Sequence, residues 1–181
     1  MLGNDVIDLR LAKTQSNWKR SNYLSKVFSL NEQDIIYNSD NADLMVWLMW
    51  SMKEAVYKIV NRRTGIRVYD PKAFICGFDL NGSKAKGSVD YFGEKFLTRS
   101  EVAQNYVHTL SFKTYASYEK CRIIHAKNCT DYLTLFNRDH NDLFLQTDES
   151  GLPEIFRKQA MTHHITTISH HGNFLFIAYL L

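Results

Sequence analysis

Glu54 and Lys58 stand four residues apart in the run Trp50-Ser51-Met52-Lys53-Glu54-Ala55-Val56-Tyr57-Lys58. On a helix that spacing puts both charges on one face, with Trp50 one turn earlier on the same stripe. Their surroundings are oily: Leu44, Val46, Trp47, Leu48, Met49, Met52, Ala55, Val56, Ile59 and Val60 cover almost every side of the helical wheel. A surface i,i+4 pair contributes only about 0.3 to 0.5 kcal/mol, whereas an unpartnered buried charge costs several. Either the helix rolls this stripe toward solvent, or a metal ion or bound phosphate partners it. A second carboxylate invites the same question. Asp5 sits in Leu2-Gly3-Asn4-Asp5-Val6-Ile7-Asp8-Leu9, a segment otherwise suited to a short buried strand, and acids disfavour strand interiors. It is a site candidate unless it serves as a turn or cap aspartate.

Histidines form the third candidate group. His163, His164, His170 and His171 fall in one short window, but neighbouring side chains on a strand point to opposite faces, which argues against zinc. A histidine at a hairpin turn, beside Ser169 and Gly172, is better placed to contact a phosphate through its ring and adjacent backbone N–H groups. The reading favours His170 for this role and has His171 face the other way, tolerant of alanine.

The elements that must position these residues follow from patterning. The spacing predicts a short strand over 2–9, a long helix over 42–63 stopped at Gly65 after the basic turn Arg62-Arg63, and a C-terminal hairpin over 166–181 turning at His171-Gly172-Asn173. Ser29-Leu30-Asn31-Glu32 has capping-box spacing and opens a short helix. From Lys72 onward the chain turns β-rich, with strands expected over 73–80, 87–92, 107–112 and 122–127, and a short helix over 129–138. The fold class expected is α+β, a long buried helix packed on antiparallel strands, in one domain of 181 residues.

Composition narrows the function. Lys+Arg 22 against Asp+Glu 19 gives a formal charge of +3, too small an excess for a nucleic-acid groove. Five bases, Arg10, Lys13, Lys19, Arg20 and Lys26, nevertheless fall between Leu9 and Asn31 without a single acid. That run is either a solvated face or the docking surface of an acidic partner, with Arg10, Lys13 and Arg20 as the contacts. Three unpaired cysteines without metal-binding spacing fit a reducing cytoplasm, and no apolar run suggests export or a membrane span.

Three motifs in order, GNDVID near the start, WSMKEAVYK in the middle, and GLP followed by ISHHG near the end, resemble the 4′-phosphopantetheinyl transferase superfamily. The middle motif follows the family's W-S-x-K-E-A/S-x-x-K, and the first follows G-x-D-(I/V)-x-(D/E). With the S-H motif last, the order is similar to the bacterial holo-acyl-carrier-protein synthase type and unlike the surfactin type. The resemblance does not reach residues 81–141, an insertion of unassigned role whose presence leaves the subunit arrangement, including a homo-oligomer, open. It implies that Asp5 and Glu54 bind Mg²⁺ on the pyrophosphate of coenzyme A and that Glu54 and Lys58 are catalytic. Lys53, Lys58, Ser169 and His170 would contact the coenzyme, the last two at its ribose 3′-phosphate. The activity implied is transfer of 4′-phosphopantetheine to a serine of an acidic acyl or peptidyl carrier protein, as in fatty acid or polyketide biosynthesis, releasing 3′,5′-ADP. Two departures stand out. Ile7 and Leu152 occupy places where family members carry an acid and a phosphate-binding lysine, while Asp8 matches an acid of the synthase type. Two other functions remain open: a non-catalytic module binding coenzyme A or a carrier protein, and a metal-dependent phosphodiesterase.

Overall fold

The computed structural model describes every residue except 66. Its organising element is α4, Ala42–Thr64. Asn41 Oδ1 caps its N-terminus by accepting from Leu44 N, Asp43 lies in the first turn, and Arg62 and Arg63 lie in the last, each charge matched to the helix dipole. Gly65 ends it at φ 70°, its N–H donating to Asn61 O at 2.8 Å, the left-handed cap that favours glycine. Before it come α1 (Leu9–Gln15), α2 (Tyr23–Val27) and α3 (Leu30–Tyr37). The expected capping box opens α3, with Ser29 Oγ accepting from Glu32 N and Glu32 Oε2 from Ser29 N.

Two five-stranded antiparallel sheets complete the fold, the first packed on α4 and the second against β1. The first runs β1 (Leu2–Asp8), β5 (Tyr106–Phe112), β4 (Glu94–Val102), β3 (Lys84–Tyr91), β2 (Phe74–Asn81). One of its faces packs on α4, where Ile7, Ala85, Val89, Phe96 and Val107 share a core with Val46, Met49, Met52, Val56 and Ile59. The second runs β6 (Cys121–Lys127), β10 (Phe174–Leu180), β9 (Thr162–His171), β8 (Pro153–Arg157), β7 (Leu143–Thr147). It has its own smaller core around Leu145, Ile155, Leu175 and Ile177, to which Phe136 of α6 (Tyr132–Asp139) adds. One further short helix, α5 (Tyr115–Glu119), links β5 to β6.

The architecture is thus α+β with a long buried helix on antiparallel strands, as expected. The stretch 81–141 holds β3 to β6, α5 and α6. It therefore supplies the strand paired to β1 and the first strand of the second sheet. Three strands escape the sequence reading. β4 carries Lys95, Arg99 and Glu101 among its apolar residues, while β7 and β8 have five residues each.

Two close fits seat β1. A Cβ on Gly3 would stand 1.9 Å from Ala55 O, so only glycine lets this strand lie directly on α4. β1 is also an edge, since its one ladder partner is β5. Side chains of the second sheet cover its other edge. Val6 N donates to Ser169 Oγ and Asp8 N to His171 Nδ1, both at 2.9 Å. Ser169 and His171 are alternate residues of β9, so the two-residue repeat of one strand matches that of the other. Asn4, fully buried, completes the seam by donating to Phe176 O at 3.0 Å and accepting from Thr167 Oγ1 at 3.1 Å.

Candidate active site

At this seam an open cleft of about 280 Å³ is lined by Asp5 and Ile7 of β1, Ala12 of α1, Trp47, Trp50 and Glu54 of α4, Tyr23 of α2, and His170 and His171 of β9. The chain's first strand, its longest helix and its last hairpin all reach one place.

Asp5 is 7% exposed and the better held of the two acids. Its Oδ1 accepts from Ser169 Oγ at 3.1 Å and from Lys58 Nζ at 3.3 Å. Its Oδ2, also buried, has no hydrogen-bond partner among the described residues. Burial pushes the Asp5 carboxyl above its usual range, against the opposing pull of Lys58 and Ser169. Glu54, one turn before Lys58 on α4, is pushed up to about 7, first by burial and then by the charge of Asp5, with Lys58 pulling the other way. Two acids raised by burial, Glu54 further by the charge of Asp5, and one of them with an orphaned buried oxygen, could hold a cation between them.

This donor set fits Mg²⁺, which takes oxygen ligands and is commonly held by one or two carboxylates, with water and substrate phosphate completing the shell. Its donors are carboxylate oxygens, hard ligands that suit Mg²⁺ better than zinc; no group of three or more His, Cys, Asp or Glu residues that could hold a metal ion occurs among the described residues. Lys58 is fixed between Asn4 O at 2.7 Å and Asp5 Oδ1. Two of its three donors are thereby used, and one has no partner among the described residues.

Other sequence candidates fall in different places. His170 is exposed at the cleft, and its side chain makes no hydrogen bond among the described residues. Ser169 is buried and bonded within the protein. Lys53 is a correction: it is fully buried on another face of α4, where Nζ donates to Glu32 Oε2 at 2.9 Å, to Pro71 O at 3.0 Å and to Phe74 O. Those three acceptors use all three ammonium donors, leaving none for a coenzyme phosphate. His171 is a second correction. It borders the same cleft as His170 and accepts from Asp8 N, which leaves the neutral ring's proton on Nε2. Asp8 turns out to be a cap. Its Oδ1 accepts from Arg10 N and Leu11 N and its Oδ2 from Asn173 N, so it joins α1 to the β9–β10 turn.

Sequence reasoning missed Ser51, whose Oγ donates to Asp5 O at 3.3 Å, and Asn4. Both sit inside motifs already singled out, and their neighbours drew the attention. Arg10, Lys13, Lys19, Arg20 and Lys26 are all exposed on α1, α2 and the connecting turn. None forms an ion pair among the described residues, and Ala12, Gln15, Ser16 and Tyr23 of the same segment line the cleft. The Gly151-Leu152-Pro153 turn lies apart, where Arg62 Nη2 donates to Pro153 O at 3.4 Å.

Residues 1–115, which contain β1, α4 and their acids, match the sequence profile of the 4′-phosphopantetheinyl transferase superfamily. The chain belongs to that superfamily. Among solved structures it is similar to the holo-[acyl-carrier-protein] synthase of Thermotoga maritima, at 15% identity and a TM-score of 0.44, over 84% of this chain and 80% of that one. No curated protein matches it. As a member of the phosphopantetheinyl transferase superfamily it is a transferase by class, and no helix among the described residues is long and apolar enough to cross a membrane.

Proposed function

We propose that this phosphopantetheinyl transferase moves 4′-phosphopantetheine from coenzyme A to a serine of an acidic acyl or peptidyl carrier protein, releasing 3′,5′-ADP. We group it with the holo-acyl-carrier-protein synthase type on motif order, Gly3-x-Asp5 first and Ser169-His170 last. The observation that carries the reading is the buried Asp5 Oδ2, without a hydrogen-bond partner among the described residues, in a cleft shared with Glu54, while Lys58 holds the other oxygen.

Asp5 and Glu54 would hold Mg²⁺. When bound, that ion supplies charge neutralisation at the pyrophosphate. The carrier serine oxygen attacks the phosphorus next to pantetheine, the P–O bond to the adenosine bisphosphate breaks, and the serine proton goes to a base. We assign that base to Glu54, whose carboxylate form a bound cation would favour. Lys58 steadies a phosphate oxygen with its free donor, and His170, unbonded at the mouth, binds the ribose 3′-phosphate. Arg10, Lys13 and Arg20 form a cationic approach along which an acidic carrier docks.

Intact mass of an apo carrier protein, incubated with this protein, coenzyme A and Mg²⁺, tests the proposal. A gain of one phosphopantetheinyl group, abolished by EDTA, is expected. Coenzyme binding without that gain would make the protein a binding module instead.

A further inference from the structure

We infer that Ser169 is the positioning residue of Asp5 and makes no contact with the coenzyme. Its hydroxyl is 4% exposed. It has one proton, given to Asp5 Oδ1 at 3.1 Å, and it accepts the Val6 N–H at 2.9 Å. Donor and acceptor are both used inside the protein, so nothing remains for a phosphate. Lys58 Nζ approaches the same Oδ1, so one carboxylate oxygen has two donors and the other, Oδ2, has none. A carboxylate held by one oxygen cannot rotate without losing both bonds. Its free oxygen is thereby kept for a cation, with the strand below fixed by Ser51 at Asp5 O and by Lys58 at Asn4 O.

Ser169 lies 164 residues from Asp5 in sequence, on the last hairpin of the chain. That hairpin therefore supplies no cation ligand of its own through Ser169, yet it sets the geometry of one donated by the first strand. Partners that orient a metal ligand typically change metal affinity by about 10- to 100-fold when removed.

This inference rests on the proposed role of Asp5, and a Mn²⁺ titration followed by electron paramagnetic resonance, which counts the free ion, separates the two. Wild type should bind Mn²⁺, and Ser169→Ala should raise its Kd about tenfold. Ser169→Thr, which keeps the hydroxyl, should restore most of the affinity. Coenzyme A affinity measured in EDTA should be the same in all three, on protein whose fold is checked by circular dichroism. Unchanged Mn²⁺ affinity in Ser169→Ala, even with lowered stability, overturns the inference and reduces Ser169 to a cover for the β1 edge. Weaker coenzyme A binding in EDTA with unchanged Mn²⁺ affinity overturns it in favour of a coenzyme contact. Absence of Mn²⁺ binding by wild type overturns the reading of Asp5 itself, a result visible before any variant is made.

Discussion

Replacing Glu54 by glutamine should stabilise the metal-free protein above neutral pH, although it removes a proposed catalytic group. Burial and the neighbouring Asp5 raise the Glu54 carboxyl from 4.5 to about 7. At about 1.4 kcal/mol per tenfold change in proton affinity, the fold prefers the protonated form by about 3 kcal/mol. The folded pKa lies above the unfolded one, so the folded state binds the proton more tightly. Stability is therefore complete below pH 4.5 and falls as pH rises to about 7, where the loss levels off. Glutamine does not ionise and escapes that loss.

Urea unfolding of both proteins in EDTA, from pH 4.5 to 8, measures the effect. The two should be nearly equal at pH 4.5, with the Glu54→Gln protein ahead by about 3 kcal/mol at pH 8. For a chain of this size that corresponds to a melting temperature higher by roughly 6 to 12 °C. Mg²⁺ at about 1,000 times its Kd should reverse the order, because a ligand at that excess stabilises the fold it binds by about 4.1 kcal/mol and the variant has lost half of the carboxylate pair. A variant less stable than wild type at pH 8 without metal, or a gap that does not change with pH, refutes the electrostatic account of this cleft.

Four further outcomes follow from the structure. Reversing the charges of Arg10, Lys13 and Arg20 should raise KM for the carrier protein and flatten its salt dependence, with KM for coenzyme A unchanged; steady-state kinetics at several ionic strengths checks this. His170→Ala should shrink the preference for coenzyme A over dephospho-coenzyme A by about 1.5 to 3 kcal/mol, measured as a ratio of kcat/KM. His171→Ala should instead cost about 1 to 3 kcal/mol of stability in urea, because it strands the Asp8 N–H. Lys53→Met should destabilise by about 3 to 5 kcal/mol, since it leaves Glu32 charged and buried without its partner.

The parts of this protein that the sequence makes legible are those written in local chemistry. The capping box at Ser29, the glycine stop at Gly65 and the turn at Gly172 each announce themselves within a few residues, and each is present. The oily helix with one charged stripe is legible for the same reason. Long-range pairing is not. Lys53 stands beside Glu54 in one motif, yet one turns into the core toward Glu32 while the other opens on the cleft. The packing of α3 and of the 71–74 segment on α4 distinguishes them. Strand alternation misplaced His171 because the rule speaks of two faces of one sheet. It says nothing about a second strand, β1, whose free N–H groups lie against one of those faces.

That second strand explains why the acids lie where they do. An edge strand inside a protein needs partners for its outward N–H groups, and a sheet ladder would satisfy them with backbone alone. Here side chains meet that need at Val6 and Asp8, which keeps β9 a side chain's length from β1. The spacing leaves room for the Ser169 hydroxyl to reach Asp5 Oδ1 in the same step that covers the Val6 N–H. Joining the two sheets and orienting the carboxylate are therefore one interaction. Any change that closed the seam into a continuous ladder would bury Asp5 without its partner and remove the cleft.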